Sequence, residues 1–162
     1  MNVWYPVQIR FRDLDPLAHV NNTVYFTYFE EARSYYFDQL NLEQWPSREE
    51  DQSVHSSEEG MHTSRIQTTS IGAHYGSLIK ENTCTYNLPI IRSDKVEIGV
   101  QVEHIGRTSF LMGLEIRDVR EHERIFATGR TVMVWCNYRT GKPTPVPPIL
   151  RVAIEKLEDR QF

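Results

Sequence analysis

The segment Arg12-Asp13-Leu14-Asp15-Pro16-Leu17-Ala18-His19-Val20-Asn21-Asn22 gathers two carboxylates, an imidazole and two carboxamides just ahead of a stretch with helical spacing. A helix N-terminus presents unpaired backbone N–H groups and the positive end of the helix dipole. It can therefore hold the oxygen of an attacked carbonyl as negative charge develops there. A carboxylate close by can attack that carbonyl or activate a water. The same residue types also suit turns and caps, with Asp13 or Asp15 stabilising the turn, Asn21 or Asn22 capping the helix, and His19 as a hydrogen-bonded loop residue. Spacing alone leaves both readings open.

Positioning these residues requires a strand before them and a helix after them. Val3, Tyr5, Val7, Ile9 and Phe11 alternate with Trp4, Pro6, Gln8, Arg10 and Arg12, the period of a strand with one buried face. Pro6 favours an edge strand or an irregular start. From Asn21 or Asn22 to about Leu40 there is neither Gly nor Pro, and Tyr25, Phe29, Ala32 and Tyr36 recur at helical spacing. One long helix is predicted there. The stretch from Asn41 to about residue 70 opens with Glu43, Glu49, Glu50, Asp51, Glu58 and Glu59 against Arg48 and has little periodicity, which predicts a flexible acidic loop.

Four strand-like segments follow without a helix between them: about Ile71 to Leu88, Val96 to Val102, Phe110 to Ile116, and Ile125 to Tyr138. Their short connections imply antiparallel neighbours. Arg139-Thr140-Gly141-Lys142 reads as a turn, the proline-rich Pro143 to Pro148 as a stretch that cannot continue a ladder, and Ile149 to Arg160 as a short amphipathic helix. The order is that of an α+β fold, with a long helix against one antiparallel sheet, in a single domain of 162 residues.

Composition removes several function classes. The formal charge of −4 leaves no basic footprint for nucleic acid. Cys84 and Cys136 lie apart in apolar runs and read as small buried hydrophobes rather than a disulfide or zinc ligands. The six histidines show no metal-ligand spacing, and no cofactor is implied. No G-x-S-x-G elbow, Walker A loop or G-x-G-x-x-G loop is present. With no signal peptide pattern and no apolar run of about 18 residues, a cytoplasmic protein without a membrane partner is expected.

The run Asp15-Pro16-Leu17-Ala18-His19-Val20-Asn21-Asn22-Thr23-Val24-Tyr25, followed by Glu30-Glu31-Ala32-Arg33, resembles the D-x-x-G-H-V-N-N-x-x-Y…E-E-A-R signature of hotdog thioesterases similar to 4-hydroxybenzoyl-CoA thioesterase. Tyr86-Asn87-Leu88-Pro89 with Ser93-Asp94, and Thr140-Gly141-Lys142-Pro143-Thr144-Pro145, extend the resemblance over roughly residues 3 to 150. It implies a hotdog fold, one long helix wrapped by an antiparallel sheet, and hydrolysis of an acyl-CoA thioester. Asp15 matches the catalytic aspartate, as nucleophile or general base. Asn22 matches the residue whose backbone N–H receives the oxyanion, and His19 and Asn21 match residues that orient the ester or water. Tyr25 and Phe29 would wall the acyl pocket, together with Tyr75 and Ser77 from a partner chain, and Glu30 on the same helix would also contact the substrate.

Glu30 and Arg33 could equally form an i, i+3 ion pair. Arg107 and Thr108 fall where relatives carry CoA phosphate contacts, although an ordinary exposed turn arginine accounts for Arg107 as well. Ala18 stands where the family has glycine, which suits only a backbone position that does not need positive φ. The acidic stretch is longer than the family's.

The resemblance also implies a homodimer paired edge to edge, assembled further into a homotetramer. A non-hydrolytic acyl-CoA sensor is the nearest alternative, and a hotdog dehydratase or hydratase the next. The carboxylate at Asp15 disfavours the first, and the early D-x-x-x-H spacing suits the second poorly.

Overall fold

In a computed structural model, the structure of the protein describes residues 1–40 and 74–162. The chain runs through β1 (Val3–Val7), a 3-10 turn (Phe11–Asp13), α1 (Val24–Asp38), β2 (Tyr75–Tyr86), β3 (Val96–Ile105), β4 (Ser109–Asp118), β5 (Ile125–Asn137), β6 (Lys142–Pro143) and α2 (Pro148–Glu158). The strands form one antiparallel sheet in the order β1-β3-β4-β5-β2, with β6 paired to β5. This is the α+β hotdog arrangement, in which α1 lies against one face of the sheet. The acidic stretch expected from the sequence falls outside the described residues.

The core forms where the predicted periods meet. Val96, Ile98, Val100 and Val102 of β3 and Phe110, Met112, Leu114 and Ile116 of β4 are all buried, as their alternation requires. From the helix, Tyr25, Phe29, Ala32 and Tyr36 bury the other side of the same layer. Phe29 is packed so closely that a Cβ on Gly129 of β5 would stand 2.5 Å from its ring. Leu150, Ile154 and Glu158, four residues apart, form the buried stripe of α2.

Several boundaries differ from expectation, each for a local reason. β1 stops at Val7, and Phe11 is exposed rather than inward, because the chain turns into the 3-10 segment. Pro6 lies on an edge strand, where a missing N–H is tolerated. The helix begins at Val24 with Thr23 as its N-cap, so neither Asn21 nor Asn22 occupies the capping position. Pro143 does enter a ladder, pairing with Cys136. It can do so because β6 is two residues long and the next N–H, that of Thr144, supplies the bond to the Trp135 carbonyl.

Candidate active site

The loop between β1 and α1 gives its two aspartates different tasks. Asp13 is buried, and its Oδ2 accepts hydrogen bonds from the Arg10 N–H at 2.7 Å and the Tyr28 hydroxyl at 2.8 Å. Its carbonyl accepts the Asn21 N–H at 2.8 Å. Asp13 therefore fastens the loop to the helix. Burial, followed by the hydrogen bond to Asp13, drives the Tyr28 phenol well above the ordinary tyrosine range.

Asp15 is half-buried, and only one of its carboxylate oxygens is engaged. Oδ1 accepts the N–H groups of Leu17 at 2.8 Å and His19 at 3.2 Å, an Asx-type turn. The turn is closed by bonds from Asp15 N to the His19 carbonyl and from Ala18 N to the Asp15 carbonyl. Among the described residues Oδ2 has no hydrogen-bond partner. Both readings of Asp15 are thus met in one side chain, one oxygen holding the turn and the other left over.

Closing this turn forces Ala18 to φ 62°, the left-handed region. The expectation that an alanine here marks a position without positive φ is therefore corrected. The position needs the reversal so that two amides on either side of Ala18 converge on one oxygen, and the chain accepts a strained alanine to achieve it.

The Asn21 side chain behaves as a cap although its residue does not sit at the N-cap. Its Oδ1 accepts the Thr23 N–H at 3.0 Å and the Thr23 hydroxyl at 2.8 Å. The Asn21 carbonyl accepts Val24 N, the Asn22 carbonyl accepts the Tyr86 hydroxyl at 3.1 Å, and the Thr23 carbonyl accepts Phe26 N. Of the polar backbone groups of residues 21 to 23, the Asn22 N–H alone lacks a partner among the described residues.

Asp15, His19, Val20, Asn22 and Tyr25 line a cavity of about 360 Å³, completed by Tyr86 to Pro89. Tyr86 meets Tyr25 edge to face with ring centroids 4.9 Å apart. Burial raises both phenols above their ordinary value. The wall from Tyr86 to Pro89 is the Y-N-L-P motif, which the sequence offers only as part of the resemblance and not as site residues. The signal that places it is the backbone bond from Val20 N to the Ile90 carbonyl, which lays the segment alongside the loop.

Other candidates lie elsewhere. Phe29 is fully buried in the core and does not reach the cavity, and Glu30 is exposed on the helix. The i, i+3 ion pair between Glu30 and Arg33 is not formed. Arg33 is instead buried, donating to Thr131 Oγ1 at 3.3 Å, and desolvation lowers its pKa. Tyr75 and Ser77 stand at the far end of β2 from Tyr86, roughly 35 Å along the strand at its usual rise. Arg107 and Thr108 are at that same end, because Trp135 pairs with Ser77 while its N–H bonds to the Thr108 carbonyl. Phe29 and Glu30 aside, the expected site residues thus form two groups at opposite ends of the sheet. Among the described residues no cluster of His, Cys, Asp and Glu is arranged to hold a metal ion, and no helix is long and apolar enough to cross a membrane.

Known proteins resemble this chain in fold and in sequence. The structure of a thioesterase from Thermus thermophilus complexed with coenzyme A and Zn is similar at a TM-score of 0.71 and 30% identity, over 99% of this chain and 97% of that one. The PA5185 protein from Pseudomonas aeruginosa strain PAO1 matches at a TM-score of 0.69 and 25% identity, over 98% and 93%. The uncharacterized protein YsmA of Bacillus subtilis (strain 168) is 26% identical over 136 residues, 84% of this chain and 74% of its own length. The sequence profile of the thioesterase-like superfamily matches residues 9–154, the span that holds the Asp15 turn, the Asn22 amide and all of the sheet but β1, and the chain belongs to that superfamily.

Proposed function

We propose that this chain hydrolyses acyl-CoA thioesters to the free acid and CoA. The observation that carries the reading is that one cavity is lined by both Asp15, whose carboxylate keeps one oxygen without a partner among the described residues, and Asn22, whose backbone N–H likewise has none. The thioester carbonyl oxygen is held by the Asn22 N–H at the start of α1, where the helix dipole favours developing negative charge. Asp15 Oδ2 either takes a proton from the attacking water or adds to the carbonyl carbon itself, in which case water then opens the mixed anhydride. In both routes the C–S bond breaks, and the CoA sulfur leaves and takes up a proton. His19 orients the reacting groups, Asn21 holds the turn that presents the Asn22 N–H rather than touching them, and Tyr25 walls the acyl group.

The reading extends to a homodimer joined along β2. Among the described residues that strand pairs only with β5, and it carries exposed Tyr75, Leu78, Ile79 and Tyr86. A strand paired antiparallel with its own copy meets it end for end, which lays the partner's Tyr75 end beside the Tyr86 end. Such pairing supports a composite site, with Tyr75, Ser77, Arg107 and Thr108 contributed from the second copy and Arg107 facing the CoA phosphates.

The test is thiol release from benzoyl-, short-chain and long-chain acyl-CoAs by the wild type and Asp15→Asn. The wild type is expected to cleave at least one, and the variant to lose about a hundredfold or more, the scale of losing a general base. Binding of acyl-CoA without thiol release by either protein would instead identify a non-hydrolytic binder.

A further inference from the structure

We infer that the Tyr86 hydroxyl is a positioning group that fixes the direction of the Asn22 N–H; its catalytic consequence rests on the proposed hydrolase reading. Tyr86 sits at the last position of β2, opposite Ala127 of β5, and is 64 residues from Asn22 in sequence. Its hydroxyl reaches the Asn22 carbonyl at 3.1 Å, while the N–H of the same peptide unit, that of Thr23, donates to Asn21 Oδ1 at 3.0 Å. The peptide between Asn22 and Thr23 is therefore held at both ends by two independent side chains.

The preceding peptide, which carries the free N–H, is held at its carbonyl by Val24 N at 2.9 Å. A concerted rotation of the two peptide units is the motion that would swing the Asn22 N–H away from the cavity wall. That rotation must break the Val24 bond on the first peptide and, on the second, the Tyr86 bond, the Asn21 bond or both. Preorganisation of this kind is what an oxyanion donor requires, since a donor that must reorient during reaction loses much of its benefit.

The Tyr86 ring is itself held, edge to face against Tyr25 in the first turn of α1. With 44% of the residue exposed, replacing the hydroxyl strands no buried group in the interior. The sheet thus sets the geometry of the helix start through one hydroxyl, and a merely structural role for Tyr86 would leave turnover unchanged.

The experiment compares the wild type, Tyr86→Phe, Asn21→Ala and the double variant. For whichever acyl-CoA the wild type cleaves, Tyr86→Phe is expected to lower kcat about tenfold with KM within about twofold, the pattern of an interaction that matters only in the transition state. The double variant is expected to lose less than the product of the single losses, because both side chains hold one peptide. Amide hydrogen exchange at Thr23, read by NMR, is expected to quicken about tenfold in Tyr86→Phe.

A raised KM at unchanged kcat overturns the inference by making Tyr86 a substrate contact, and unchanged exchange at Thr23 overturns it whatever the kinetics. If the wild type cleaves no acyl-CoA, the hydrolase reading fails, and the exchange rates still decide whether Tyr86 holds the turn.

Discussion

The Tyr36 hydroxyl donates a 2.7 Å hydrogen bond to Glu158 Oε1 in the interior of the protein. The same oxygen accepts the Val102 N–H at 2.7 Å, at the point where the β3 register shifts, and Asn2 reaches Oε2 at 3.4 Å. One carboxylate on α2 therefore ties together α1, an irregular step of β3 and the first residues of the chain. Glu158→Ala leaves a buried hydroxyl and a buried amide without their acceptor. A loss of about 3–5 kcal/mol is expected in urea denaturation, with Glu158→Gln recovering part of it. A loss below about 1 kcal/mol would show that water replaces the carboxylate at little cost.

Stability is expected to fall in alkali. Burial, reinforced by hydrogen bonds to Glu158 and Asp13, raises the Tyr36 and Tyr28 phenols above their ordinary value of 10.0. Below that value both folded and unfolded chains carry neutral phenols, and the stabilisation is fully present. Above it the unfolded chain gives up protons that the folded chain keeps, so unfolding gains by up to about 1.4 kcal/mol per pH unit for each of the two. Denaturation series between about pH 9 and 11 measure this slope, and Tyr36→Phe should remove about half of the contribution of the pair.

Ala18 at φ 62° predicts a stabilising substitution. Glycine relieves the left-handed strain, and the extra freedom it gives the unfolded chain offsets part of the gain. Ala18→Gly should stabilise by about 0.5–1 kcal/mol, a rise of about 1–4 °C in Tm. A lower Tm would mean that the alanine methyl makes a contact worth more than the strain.

The sheet and the long helix were legible because their signals are periodic and redundant. Eight alternating residues in β3 and β4 all point inward as expected, and no single substitution hides such a pattern. Less legible were features that depend on where distant segments meet. Asp13 and Asp15 share a residue type and stand two positions apart, yet only folding shows that one faces Tyr28 and the other the cavity. Likewise Phe29 continues the stripe of Tyr25, but the helix turns it onto Gly129 and away from the cavity. Tyr86 escaped notice as a site residue because its partner, the Asn22 carbonyl, is backbone, and backbone carries no mark in a sequence.

Asp13 and Asp15 divide their work so completely that the loop has two separable fates under mutation. A change at Asp13 puts the anchoring of the loop at risk, whereas an amide at Asp15 still supplies the one oxygen that the turn uses. Under the proposed chemistry, a descendant can trade cutting for holding in a single step, with cavity, helix start and sheet intact. On that chemistry, reaction and recognition rest on different atoms of one loop, and one codon separates a hydrolase from a silent binder.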